Sequence, residues 1–368
     1  MILERLELSN FRNYRHQEIE FSPEKNIITG RNAQGKSNLL EAFYFLSHLK
    51  SNRSPRMRDL VMDGEEKASV LGVIMDGEAR VNVRVSFGRK GKSVEVNGQK
   101  VDSGSRARGL IKCVMFAPED LLMIKGDPAR RREFLDETME GLGPIKAKQV
   151  LHYKHVLRQR NAVIRSWEEH GDRLGTALEP WDDALAKAGS VIALERTRVV
   201  RQMEREAAEA YAEITGEVRA VSIKYRGTFE VPDGSAEEVE SEMRRAIRES
   251  AGEERRTRST VVGPHRDDVE IRLGGLEARF SASQGEQRTI AFSMRLAQRR
   301  YLERETGKTP ILLLDDVLSE LDSARRTGVL RVAGAGSQAV ITATEIPGDL
   351  VVSGTRVFMV EQGIVIGV

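Results

Sequence analysis

Gly30-Arg31-Asn32-Ala33-Gln34-Gly35-Lys36-Ser37 has the residue types and spacing of a phosphate-binding loop, G-x-x-x-x-G-K-[ST]. Small residues let consecutive backbone N–H groups converge on one phosphate, and the positive end of a following helix reinforces them. In such a loop Lys36 reaches the β- and γ-phosphates of ATP, and the Ser37 hydroxyl ligates Mg²⁺. The bland alternative is a glycine-rich turn with a solvated lysine. The flanks decide between the two. Asn26-Ile27-Ile28-Thr29 reads as a short buried strand, and Leu39, Leu40, Phe43 and Leu46 recur at helical spacing from Ser37 to Leu49.

Two later stretches have chemistry of the same kind. Pro310-Ile311-Leu312-Leu313-Leu314-Asp315-Asp316 is an apolar run ending in two acids. A buried strand there would present Asp315 to a Mg²⁺ ion opposite Ser37 and leave Asp316 to polarise an attacking water. Alone, the pair fits a surface turn equally well. Ser283-Gln284-Gly285-Glu286-Gln287 precedes a long helical pattern, so Ser283 and the Gly285 N–H could cradle a second phosphate. Taken alone, an ordinary helix cap explains it better. The order of the three segments makes them a set.

Other residues are weaker signals. His265 sits beside Asp267-Asp268, but one histidine with two acids falls short of a structural metal set. Arg53 with Arg56 and Arg58, Arg130-Arg131-Arg132, and Arg255-Arg256 with Arg258 are candidate phosphate contacts, although charge runs are usually solvated faces. Trp167 and Trp181 lie outside any aromatic-basic cluster and read as core.

The elements that must position these groups follow from pattern. Residues 1–116 read as strands around one helix, with hairpins at Asp76-Gly77 and Asn97-Gly98. From about 119 to 218 the chain reads as a helical arm, its apolar stripe running Leu185, Ala188, Ile192, Val199, Met203, Ala207, Ile214. Gly141, Gly143-Pro144 and Glu179-Pro180 interrupt it. Strands return at 221–225, 269–273, 276–280, 339–342 and 357–360, with a helix over 286–305.

Composition sets limits. The chain has 368 residues, a net charge of +2 and a single cysteine, Cys113. A disulfide framework is excluded, and a reducing cytoplasm is expected. The first residues mix acid and base, unlike a signal peptide, and no run of about twenty apolar residues suggests a membrane span. Any affinity for nucleic acid must come from local basic surfaces.

The ordered set resembles the ATP-binding-cassette ATPases, in particular the SMC/Rad50-like heads of DNA repair. Asn10 to Tyr14, Phe116 to Leu121, Gly126-Asp127-Pro128, Gly263 to Asp268, and Leu314 through Asp322 extend the resemblance over nearly the whole chain. It implies an α/β head with a mixed sheet, an antiparallel β-subdomain and a helical arm, divided at 1–118, 119–258 and 259–368. It further implies an ATP-dependent homodimer with shared sites. Gly30, Asn32, Gly35, Lys36, Ser37, Arg12 and Asn13 would bind nucleotide in cis. Ser283, Gly285 and Glu286, with Ser319 and Asp322 of a D-loop, would act in trans. Asp315 would serve Mg²⁺, and Asp316 would be the catalytic base. Arg53, Arg56, Arg130, Arg131 and Arg132 are the DNA-binding candidates. The partners implied are double-stranded and gapped DNA, with RecR and RecO helping to load a recombinase. A Gln-loop position would fall near Glu119-Asp120, although no glutamine stands there. The class usually has Glu where Asp316 stands, so slow, DNA-stimulated hydrolysis is expected. No histidine follows His265; Thr342 or Thr344 stands near the place of the usual switch residue. The rivals are a transporter ATPase subunit and a nuclease built on Asp267-Asp268 and Asp315-Asp316.

Overall fold

The computed structural model describes residues 1–101, 107–166, 174–217, 219–316, 325–329, 336–345 and 354–367. The amino-terminal strands β1 (Ile2–Phe11) and β2 (Tyr14–Glu20) pair antiparallel, and β3 (Lys25–Thr29) departs to a second sheet. After helix α1 (Lys36–His48) come β4 (Lys67–Asp76), β5 (Ala79–Gly88), β6 (Gly91–Val96) and β7 (Gln99–Lys100). They complete an antiparallel sheet in the order β2-β1-β4-β5-β6-β7. Both expected hairpins form. Asp76 pairs with Ala79, and Asn97 and Gly98 both take positive φ, the conformation their tight turn requires. Along β5, Val83, Val85 and Phe87 are buried and alternate with more accessible residues, as period-two patterning dictates.

β8 (Cys113–Phe116) follows, and then the helices. We label the longer ones α2 (Pro128–Gly141), α3 (Pro144–Arg165) and α4 (Leu174–Thr215). β9 (Val221–Arg226), α5 (Ala236–Glu249), β10 (Asp268–Leu273) and β11 (Leu276–Glu277) precede α6 (Gln284–Thr306). The remaining strands are β12 (Ile311–Leu314), β13 (Ala339–Ala343), β14 (Arg356–Glu361) and β15 (Ile364–Gly367). The second sheet runs β15-β14-β3-β13-β12-β8, parallel except for the β14–β15 hairpin. β12 is a continuous apolar run and β13 is buried throughout, because both faces of the sheet are covered.

Several expectations need correction. Helix α4 runs through Pro180 instead of stopping there. The proline lies in the second turn, where the missing N–H costs one rung near the start, and the apolar stripe beyond it supplies the packing. That stripe does not serve the arm alone. Leu185 and Ile192 pack with Val150 and Tyr153 of α3, whereas Val199, Met203, Ala207 and Ile214 join Ile290 and Phe292 of α6. The strand expected over 276–280 shrinks to two residues, followed by a helical turn at Ala278–Ser281 that leaves Phe280 77% exposed. Trp181 is only partly buried, at the edge of the α3–α4 core, and Trp167 lies outside the described residues.

A buried histidine and a half-buried one give the fold a testable acid response. His48 stacks on Tyr44 at the end of α1, and His265 bonds the Tyr153 hydroxyl at 2.7 Å. Burial pushes both imidazoles down to about 4. The unfolded chain, with histidines near 6.5, therefore binds protons that the folded chain refuses. Stability is full above about pH 6.5 and declines as pH falls toward 4. Urea unfolding at pH 7 and pH 5 should differ by roughly 3–4 kcal/mol, and His265→Asn should remove about half of that difference. Equal stability at the two pH values would contradict neutral histidines.

Candidate functional site: a nucleotide cradle and a separate capped helix

The loop between β3 and α1 takes its shape from two glycines. Gly30 has φ +144°, and an added Cβ would lie 2.4 Å from the Val360 carbonyl oxygen of β14. Gly35 has φ +122°, with the Asn13 amide and Tyr14 hydroxyl at 2.6 and 2.7 Å from the same imagined atom. Both positions combine a left-handed backbone with close approach, so only glycine fits. The loop is also braced from outside. The Tyr14 hydroxyl donates to the Gly35 carbonyl (2.9 Å), and the Asn13 amide donates to the Gln34 carbonyl (2.9 Å). The turn between β14 and β15 holds Gln34 through the Gln362 and Gly363 N–H groups. Gly35→Ala is expected to abolish measurable ATP binding and to lower stability by roughly 2 kcal/mol or more. Calorimetric titration and thermal melting check both, and unimpaired binding would mean that the loop tolerates another shape.

Helix α1 begins without a side-chain cap and without an acid in its first turn. Its amino-terminal dipole is left uncancelled, as an anion site requires. Lys36, only 7% exposed, curls back and donates to the Gly30 and Arg31 carbonyls at 2.7 and 3.0 Å. Burial lowers its pKa, while Asp316 and Asp315 oppose that shift. The Ser37 hydroxyl donates to Asp315 Oδ1 at 2.7 Å, which joins the first and third motifs directly. Asp315 ends β12, two strands from β3, and is 5% exposed. Burial raises its pKa against the Ser37 and Thr342 hydroxyls. Thr342, on the intervening β13, donates to the same Asp315 oxygen (2.9 Å) and accepts from the Asp316 N–H (2.9 Å). Of the two threonines near the switch position, it is Thr342 that touches the acid pair. The Thr344 carbonyl instead accepts from Thr29. Asp316 has a left-handed backbone, φ 51°. A serine hydroxyl beside a buried carboxylate, with a lysine alongside, is a donor set that fits Mg²⁺ and a polyphosphate.

Ser283 caps α6 in a closed box. Its side chain accepts from the Glu286 N–H, and its own N–H donates to the Glu286 carboxylate at 2.7 Å. These backbone and hydroxyl bonds, with Arg219, pull the Glu286 pKa down to about 2. Ser283 is exposed, and among the described residues neither it nor Gly285 is bonded to the phosphate loop of its own chain. Ser319 and Asp322 lie outside the described residues.

Several candidates have partners within the fold. The Arg12 guanidinium forms a fork on Glu41 of α1 (2.9 and 2.8 Å) and also bonds the Asp59 carbonyl, so it braces the loop's helix instead of facing open solvent. Asn13 does reach the loop, through its amide, and Asn32 is exposed on it. Arg53 lies at the loop's mouth, donating to Asn38 (3.2 Å) and lowering the Asp315 pKa through its charge. Arg56 is exposed. Arg130 is exposed and pairs with Glu133. Arg131 is no surface contact: at 6% exposure it forks onto Asp268 and bonds the Met123 and Gly126 carbonyls. Arg132 donates to the Asp267 carbonyl.

Asp120, near the expected Gln-loop position, is also engaged elsewhere. It is gripped by Arg295 of α6 and caps the Ala117 N–H. Arg295 also bonds Glu137 of α2, which accepts from Tyr44 of α1, so a buried network ties the phosphate-loop helix to α6. No local pattern announces that network, since its members lie on four separate elements. The nuclease arrangement fails on geometry. Asp267, 1% exposed, is filled by Tyr225 and Thr228, and Asp268 by Arg131.

The parallel sheet with its β3 loop and β12 acids, the flanking antiparallel sheet and the helical arm define an ATP-binding-cassette head of the SMC-like class. The model of the RecF/RecN/SMC N-terminal domain family matches residues 2–364. The DNA replication and repair protein RecF of Latilactobacillus sakei subsp. sakei strain 23K is 34% identical over 370 residues, covering 100% of this chain and 99% of its own. RecF of Cyanothece sp. PCC 7425 is 35% identical over 94% of this chain and 92% of its own. A solved structure of the recombination mediator protein RecF with ATP, in the RecFOR pathway, superposes with TM-score 0.91 at 32% identity, covering 100% and 97% of the two chains. An Smc head bound to the C-winged helix domain of ScpA shares the fold, with TM-score 0.54 at 17% identity. The chain belongs to the RecF family.

Among the described residues no helix is long and apolar enough to cross a membrane.

Proposed function

We propose that this chain is an ATP-dependent DNA-binding clamp acting in the cytoplasm in recombinational repair of gaps and stalled forks. The observation that carries the reading is the Ser37–Asp315 bond, which brings the phosphate loop and the β12 acids into one site. Among the described residues the exposed helix start at Ser283 makes no bond to that site within the same chain. A site made of two halves on separate surfaces is completed by a second copy. Ser283 and Gly285 of each chain then close on the γ-phosphate held by the other, with Ser319 and Asp322 alongside. Division at residues 118 and 258 separates the head from its arm.

In this reading Gly30, Asn32 and Gly35 line the phosphates, and Lys36 exchanges its two carbonyl partners for phosphate oxygens. Ser37 and Asp315 would hold Mg²⁺, which would supply charge neutralisation at the phosphates. Asp316 acts as base toward water. An aspartate in that role has a shorter reach than glutamate, so turnover is slow, well below the enzyme median of about 10 per second. DNA stimulates hydrolysis, and hydrolysis opens the clamp. The RecFOR pathway named for a solved relative supports RecR and RecO as partners, and with them the chain helps to load RecA. Light scattering with and without ATP tests the core of the proposal. The parent should shift from monomer to dimer with ATP, and Lys36→Ala should not. A dimer that forms without nucleotide would overturn the ATP-driven clamp.

A further inference from the structure

Helix α3 has no Asp or Glu in its 22 residues, yet it carries Lys146, Lys148, Lys154, Arg158, Arg160, Arg165 and two histidines. Its neighbour α4 is the opposite in balance, with eight acids to five lysines and arginines. Three of the α3 cations serve the fold. Lys146 bonds Glu195, Lys154 bonds Asp136, and the buried Arg160 joins Asp182 and Glu254. Lys148, His152, His155 and Arg158 differ. They recur at intervals of four, three and three residues on the outer face of the helix, and all four are exposed. Among the described residues none of them has an acid partner, whereas several arginines elsewhere on the arm are neutralised locally. Exposed Arg201 pairs with Asp233, Arg205 with Glu209 and Arg245 with Glu242.

We propose that this face of α3 is a contact for the sugar-phosphate backbone of duplex DNA, a surface that deepens the clamp reading and rests on it. From Lys148 to Arg158 the helix rises about 15 Å. That length of duplex carries on the order of nine phosphates, at one per ~1.7 Å of axis. Cations without local acids release counterions on meeting phosphate and gain the full electrostatic benefit. Contacts of this kind hold DNA without reading its sequence. The arginine triplet at 130–132 cannot substitute for this face, because Arg131 is buried and Arg132 is turned onto a backbone carbonyl.

The test is the salt dependence of duplex binding by the full chain with ATP and Mg²⁺. For Lys148→Gln/Arg158→Gln the slope of log K against log salt should fall in magnitude by about 2, one contact being worth ~0.9. Lys148→Arg/Arg158→Lys should keep the parent slope, as should Arg205→Gln, a control on another exposed surface. All variants should melt like the parent, since the changed side chains are exposed. If the parent binds DNA and the double glutamine variant keeps its slope, the α3 face is not the contact and the clamp reading survives. If the parent does not bind duplex DNA at all, the clamp reading fails and this inference with it.

Discussion

Ser283→Arg is expected to leave ATP binding to the single chain intact and to abolish ATP-dependent dimerisation. The side chain it enlarges is an exposed cap on α6, bonded among the described residues only within its own helix start. Losing that cap costs about 1 kcal/mol of helix stability, too little to unfold the chain. At a shared interface the same change places a long cation where a hydroxyl must meet a phosphate, and both sites of the dimer fail together. Calorimetric ATP titration together with light scattering separates the effects. Unchanged affinity with a persistent monomer supports the trans role. ATP-driven dimers indistinguishable from the parent's would remove Ser283 from the interface.

The second large effect is at Asp316. Asp316→Asn should reduce hydrolysis by about 10²–10⁴-fold, the usual contribution of a positioned general base. ATP binding and dimerisation should remain, and DNA should dissociate more slowly. Asparagine suits this test because it tolerates the left-handed backbone at this position, φ 51°. It also keeps the N–H that donates to Thr342. The change is therefore confined to the carboxylate. Phosphate release at the parent rate would place the base elsewhere, whatever the state of the dimer.

The parts of the site that could be read in the sequence are those whose chemistry demands a fixed local pattern. Gly30 and Gly35 are legible because only glycine allows their backbone geometry against β14 and Asn13-Tyr14. Asp315 is legible because a buried parallel strand must be apolar until it ends. Arg131 misleads for the opposite reason. Three consecutive arginines look alike in sequence, but on a helix they point in three directions, and one finds Asp268 far along the chain. Phe280 misleads because β-propensity favoured a strand where the chain instead turns helical toward Ser283. Helix α5 and β8 are not singled out by the sequence pattern, for different reasons. Helix α5 carries a readable capping box, Ser235 with Glu238, whereas β8 is four buried residues with no period to detect. Thr342 and the Asp120–Arg295–Glu137 network depend on tertiary neighbours, so spacing could not reveal their partners.

The central claim is that each ATP site is built from two chains, and a mixing experiment tests it directly. Lys36→Ala lacks a working phosphate loop but keeps its α6 cap, and Ser283→Arg has the reverse defect. Each alone should be inactive. Because neither variant dimerises with itself, every dimer in an equal mixture is mixed and contains one intact site of two, so the mixture should recover hydrolysis up to about half of the parent rate. If the mixture stays as inactive as its components while both variants fold and Ser283→Arg still binds ATP, the site is not shared in this way.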